Sequence, residues 1–129
     1  MDAAQALADL TEISSQVETA VLFGGDGEIA GSTLADEAAS AALVAGAGEL
    51  LEAAGRIRGD AARVTQVQAS TPHGSVFVVR EGERTIVATT APDPTVGLVF
   101  YDLKSCLRGS ADDKPRRRRR TAKEPGDAA

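Results

Sequence analysis

The sequence is poor in the residues that most often carry chemistry or bulky packing. Its 129 residues hold one cysteine, one histidine, one methionine, three phenylalanines, one tyrosine and no tryptophan. A lone Cys106 excludes an internal disulfide framework and any cysteine-based zinc site. With so few aromatics, the core has to be assembled mainly from Ala, Val, Leu and Ile. No apolar run approaches the roughly 20 residues that a membrane span needs. The opening MDAAQALADL has neither the basic n-region nor the apolar h-region of a secretory leader. A soluble protein of the reducing cytoplasm is therefore expected.

Enzyme classes are as thinly provided for. His73 falls in a hairpin turn and Cys106 in the last turn of a helix, so a nucleophile–base pair would need the fold to bring them together; a surface histidine and a packed cysteine are the simpler reading. No His, Cys and carboxylate set has metal-ligand spacing. The carboxylate pairs Asp36/Glu37, Glu49/Glu52 and Asp112/Asp113 read as helix-start acids, a solvated helix face and a linker. No catalytic residue, metal, cofactor or small-molecule substrate is expected.

The chain has the length of one domain, enough to bury about two thirds of its unfolded surface. Charge divides it. Residues 1–109 hold 15 acidic and 7 basic residues, a net −8, whereas residues 110–129 hold 4 and 7, a net +3. The first span is read as the folded domain and the second, without periodicity and with little to bury, as a disordered arginine-rich tail.

Leu7, Leu10, Ile13 and Val17 recur at helical spacing, predicting a first helix over residues 3 to about 15. From Val17 to Phe23 the pattern becomes β-like, with Ala20 and Leu22 on one face and Val21 and Phe23 on the other; two apolar faces place this strand inside a sheet covered on both sides. The glycines that follow, in VLFGGDGEIAGST, pose the question of a phosphate loop. A Walker-type loop needs glycine, four residues, glycine and Lys-Ser/Thr ahead of a helix. No lysine precedes Lys104, and a second strand, Glu28 to Ser32, separates the glycines from the next helix. Asp26-Gly27 reads instead as a two-residue type I′ hairpin turn, whose central residues both take positive φ.

Thr33-Leu34-Ala35-Asp36 fits a capping box opening a second helix over about 34–58. In it Leu43, Ala47, Leu50, Ala54 and Ile57 form a stripe expected to face the sheet. The opposite side holds Ala38, Ala41, Ala45, Gly48, Glu52 and Gly55, nearly bare of large side chains. Residues 63–71 make a polar strand, expected at a sheet edge, with Val64, Gln66, Gln68 and Ser70 on one face. Two further strands, 75–80 and 84–91, follow through tight turns at Pro72-His73 and Gly82. Asp93 as N-cap, Pro94 at N1 and Gly109 at C′ bound a third helix over about 94–108. The predicted class is α+β, in the order α-β-β-α-β-β-β-α, with a five-stranded antiparallel sheet and helices on both faces.

That order, with VETAVLFGGDGEIAGST after the first helix, VTQVQASTPHGSVFVVREGERTIVATTAPDPTVGLVFYDL toward the end and an Ala-rich central helix, resembles the Roadblock/dynein light chain family. The resemblance spans about residues 3–108 and is strongest to bacterial members, the MglB type and the small actinobacterial Roadblock proteins. It implies a profilin- or longin-like sandwich that homodimerises, the third strands pairing across the dimer and the second helices packing side by side. It also implies a Ras-like small GTPase as partner, which such proteins bind, co-regulate or activate.

The residues bear on that implication independently. Ala38, Ala41, Ala45, Gly48, Glu52 and Gly55 would let another helix approach closely, and Val64, Gln66 and Gln68 belong to a strand with backbone groups to offer a twin. Glycines inside a helix cost about 1 kcal/mol each relative to Ala, which close approach would offset; the alternative is that alanine is surface filler. A structural module that assembles other proteins without affecting nucleotide turnover is a second reading. The tail, with Arg116, Arg117, Arg118, Arg119 and Arg120 adjacent, leaves three readings open: docking on a partner or on the acidic domain, contact with an anionic surface, or no role.

Overall fold

The computed structural model describes residues 2–60 and 64–111. Its elements are α1 (Ala3–Ile13), β1 (Val17–Gly24), β2 (Ile29–Ser32), α2 (Glu37–Arg58), β3 (Gln66–Thr71), β4 (Gly74–Glu81), β5 (Arg84–Thr90) and α3 (Val96–Ala111). The predicted order holds. The five strands form one sheet in the order β2-β1-β5-β4-β3, every pairing antiparallel. β1 lies inside the sheet and β3 at its edge, as their apolar and polar patterns require.

The sheet divides the core in two. On one face Ala20, Leu22, Phe77, Val79, Ile86 and Ala88 pack against Leu7 and Leu10 of α1 and Val99, Leu103 and Leu107 of α3. On the other, Val21, Phe23, Val78 and Val87 pack beneath Ala47 and Leu51 of α2. Two helices thus cover one face, while a single helix, running from the β2 edge to the β3 edge, covers the other. α1 comes close over β2 because Gly31 has no side chain: a Cβ there would lie 3.0 Å from Leu7 Cδ1 and 3.2 Å from Ala3 Cβ.

The ends of several elements differ from expectation, each for a local reason. The Asp26-Gly27 turn is not type I′, since Gly27 has φ 86° while neither Gly25 nor Asp26 is positive. Gly27 N–H donates to Gly24 O at 2.9 Å, and Gly24 N–H to Glu28 O at 2.9 Å. This is a three-residue loop with its left-handed residue last, and the Asp26 carboxylate steadies it by accepting from Glu28 N–H. α1 stops at Ile13, and Ile13 is 72 % exposed rather than packed.

α2 begins at Glu37, capped by Asp36, whose carboxylate accepts from Ala38 N–H at 2.9 Å. Thr33 is unavailable as a cap because it prolongs the β2–β1 pairing: its N–H donates to Ala20 O and its hydroxyl accepts from Ala20 N–H. α3 starts at Val96, not Pro94, since Asp93 has φ 60° and the Gln16 side chain accepts from Thr95 N–H at 2.6 Å. The helix then runs through Gly109 to Ala111. The strand expected from residue 63 is assigned from Gln66, although Thr65 O still accepts from Arg80 N–H; residue 63 lies outside the described residues.

Cys106 is packed against α1, its thiol donating to Ala6 O at 3.4 Å. Burial, with a smaller contribution from Asp9, pushes the thiol up to about 11. The fold therefore favours the protonated form. Its contribution is complete below the ordinary thiol range and is lost as pH climbs through about 11. A thiol reagent at pH 8 should label Cys106 at the rate of unfolding; rapid stoichiometric labelling of the native protein would show the packing to be wrong.

Candidate interaction surface

α2 is held at both ends. Near its start, Ser40 is 3 % exposed and its hydroxyl pairs with that of Ser32 at 2.7 Å, tying the helix to β2. At its end Gly59 takes the left-handed conformation with φ 103° and donates to Gly55 O. Between these points Ser40, Ala47, Leu51 and Gly55 are buried, with Leu43, Val44 and Leu50 packed partly against the sheet. At 100° per residue, this inner line is rotated by roughly 75° from the predicted stripe. Ile57, expected inside, is 79 % exposed.

The rotation changes the membership of the outer face. Ala38, Ala41, Ala45 and Glu52 are exposed and Gly48 is half-buried, but Gly55 is buried within the chain. Gly55 is therefore removed from the candidate face, and Ala42 and Glu49, both exposed, join it. The first half of the strip is alanine. The second is charged: Glu52 and Arg56 sit 3.9 Å apart and stay 71–72 % exposed, a spacing that contributes little. Around Gly48 there is open space, since a Cβ there would meet nothing within 4 Å.

The expected face of the third strand is also split. Gln66 and Gln68 stand opposite Val79 and Phe77, so they share the α1/α3 side of the sheet. Val64 packs with Val67 and Val76 on the α2 side, because its position before the strand frees it from the alternation. What β3 offers in common with α2 is its free edge. It pairs with β4 alone and contains no charge and no proline, the devices that usually protect an edge. The other edge, β2, has four residues and a register shift against β1, so it is the poorer template.

The glycine hairpin lies beside the middle of α2, near Gly48. With Leu51, Glu52, Arg80 and the β4–β5 turn it borders a cleft of about 590 Å³. Glu83 places a carboxylate against Gly25, a Cβ there lying 3.1 Å from Glu83 Oε1, which disfavours an anion on this loop. His73 is exposed in the β3–β4 turn, while Cys106 is buried under α1, and no bond joins them. Arg116–Arg120 lie outside the described residues.

Several of these features left no mark in the periodicity. The Ser32–Ser40 bond, the Gln16 bond to Thr95 and the Arg80 side-chain bond to Val64 O at 2.8 Å each tie together segments whose approach the fold decides, across 8, 79 and 16 positions. Only the abundance of serine and threonine near element ends hinted at such ties.

The fold is that of Roadblock/LC7 domains. The structure of a Roadblock/LC7 domain from Streptomyces avermitilis matches with a TM-score of 0.72 and 18 % identity, over 84 % of this chain and 94 % of that one. The gliding protein MglB from Thermus thermophilus matches at 0.64 and 19 % identity, over 84 % and 85 %. An MglB described as having a tetrameric arrangement matches at 0.65 and 14 % identity, over 84 % and 85 %. No family model and no curated protein matches the sequence. No helix among the described residues is long and apolar enough to cross a membrane.

Proposed function

We propose that this protein is a non-enzymatic homodimer that binds a Ras-like small GTPase and regulates or scaffolds it. The observation that carries the reading is the small-residue outer face of α2 beside an uncharged, unpaired β3 edge, on a fold shared with MglB. Pairing of two β3 edges would continue the sheet, and the two α2 helices would then lie together above it. Such a joint platform is broad and regular, which suits a protein partner better than a small ligand.

Among the described residues, activation through an inserted arginine has little support. Arg84 donates to Ser110 Oγ at 3.2 Å, Arg80 to Val64 O, and Arg108 is forked onto Glu81 at 2.9 and 3.1 Å. Arg56 is only loosely paired with Glu52, and Arg58 sits beside it in the last turn of α2, where the helix dipole favours a cation. Any stimulation would then work by ordering the partner's switch loops rather than by neutralising charge in its transition state. These engagements also favour the second reading, a dimeric assembly module that leaves nucleotide turnover unchanged.

GTP hydrolysis by the Ras-like GTPase, measured with and without this protein, separates the two. Stimulation that survives the combined Arg56→Ala and Arg58→Ala variant supports regulation without an arginine of α2; stimulation abolished by those substitutions overturns the account of how it works. Binding without any change in rate selects a scaffold, and absence of binding removes the GTPase reading and leaves the module that assembles other proteins.

A further inference from the structure

On the sheet face opposite α2, α1 and α3 border a groove of about 290 Å³. Its apolar lip is formed by Ile13 and Tyr101, which are 72 % and 68 % exposed. Two carboxylates, Asp9 and Asp102, line it, and no Lys or Arg does. Asp102 is only 8 % exposed, and among the described residues no hydrogen bond or ion pair engages it. A carboxylate so enclosed is costly without a partner, and an apolar, acidic slot suits a cation with an apolar stem.

The chain carries such cations within reach. α3 leads from Tyr101 past Gly109 at the far end of the groove to Ala111, and Arg116–Arg120 follow Ala111 by five to nine positions. Five to nine residues extend to roughly 17–32 Å, whereas the eight helical residues from Gly109 back to Tyr101 span about 12 Å. The point of departure is fixed, since Ser110 is 1 % exposed, donates to Leu107 O at 2.9 Å and accepts from Arg84 at 3.2 Å.

We propose that the Arg116–Arg120 segment folds back in cis along the α1/α3 groove, its guanidinium groups engaging Asp102 and Asp9 and stacking over Tyr101. Arginine suits each part of this site: a planar fork for a carboxylate, a face for an aromatic ring and a stem for the Ile13 lip. The domain's net charge of −8 draws the segment in. The docked tail leaves the α2 face free, so the inference stands or falls independently of the GTPase reading. A strongly anionic surface would compete for the same arginines and release the groove.

Tyr101 is the sole tyrosine in a chain without tryptophan, so it reports on the groove directly. Acrylamide quenching of its fluorescence in the full chain should be about twofold weaker at roughly 10 mM salt than at roughly 0.5 M, where screening loosens exposed ion pairs. The combined Asp9→Asn and Asp102→Asn variant should show the high-salt value at both ionic strengths. So should a chain with Arg116 to Arg120 all replaced by Gln, which leaves the folded domain untouched should the aspartate variant fail to fold. Equal quenching of the unaltered protein at both ionic strengths overturns the proposal. So does unchanged low-salt protection in the glutamine variant, or protection that grows with protein concentration, which would mean docking between copies.

Discussion

Replacing Phe77 with alanine is expected to lower the unfolding free energy by about 3–5 kcal/mol. Phe77 is fully buried at the middle of β4 and meets Phe100 of α3 edge to face, with ring centroids 5.0 Å apart and planes at 76°. Its cross-strand neighbour on β5 is Ala88, and the same cluster contains Ala6 and Ala20. These side chains are already small, so little can collapse into the space that the ring leaves. Of the three phenylalanines only Phe77 and Phe100 lie between α3 and the sheet, so removing Phe77 also strips Phe100 of its ring partner. Urea unfolding followed by circular dichroism measures the effect. A loss below about 1 kcal/mol, ordinary for a surface change, would contradict the assignment of Phe77 to the centre of the core.

Ala45→Glu should have a comparable effect, but on association rather than on folding. Ala45 is exposed in the single chain and glutamate is a good helix former, so the monomer should unfold as before. If α2 packs against a second α2, the new carboxylate is buried there without a partner, at a cost of about 3–5 kcal/mol. The dissociation constant would rise by at least about a hundredfold. Sedimentation of the two proteins over a range of concentrations reads this directly. Gly48→Ala is the companion test: in the monomer its Cβ meets open space, so the helix gains up to about 1 kcal/mol. A contact face would show that gain together with weaker association, whereas surface filler would show the gain alone.

The sequence announced those features that depend on one residue pattern. β1 was legible as an inner strand because Ala20, Leu22, Val21 and Phe23 leave it no wet face, and β3 as an edge because Gln66, Gln68, Ser70 and Thr71 leave it little to bury. The turns at Pro72-His73 and Gly82 were legible from their residue types. The phase of α2 was not. Its inner line includes Ser40, which is buried because Ser32 lies across from it, and Gly55, whose lack of a side chain looked like an outward feature. In an Ala-rich helix the large residues mark the buried side only loosely, so a tertiary hydrogen bond can decide the rotation. The same holds for the start of α3, where a bond from Thr95 N–H to Gln16 outweighs the proline signal.

The candidate face was correspondingly half legible. Ala38, Ala41, Ala45 and Glu52 lie outward where the pattern placed them, Gly48 borders them, and Gly55 does not belong. Val64 parts from Gln66 and Gln68 because it precedes the regular strand. The groove that holds Asp102 left no signal, since it arises from the packing of α1 on α3, two helices far apart in sequence.

The proposed function requires that the protein, as a homodimer, engage a Ras-like GTPase. Affinity capture of the tagged full chain from its own cells, in GTP and in GDP, followed by mass spectrometry of what co-purifies, tests it most directly. A Ras-like GTPase recovered with the unaltered protein and depleted with Ala45→Glu is the predicted result. Capture that yields no such GTPase in either nucleotide would contradict it.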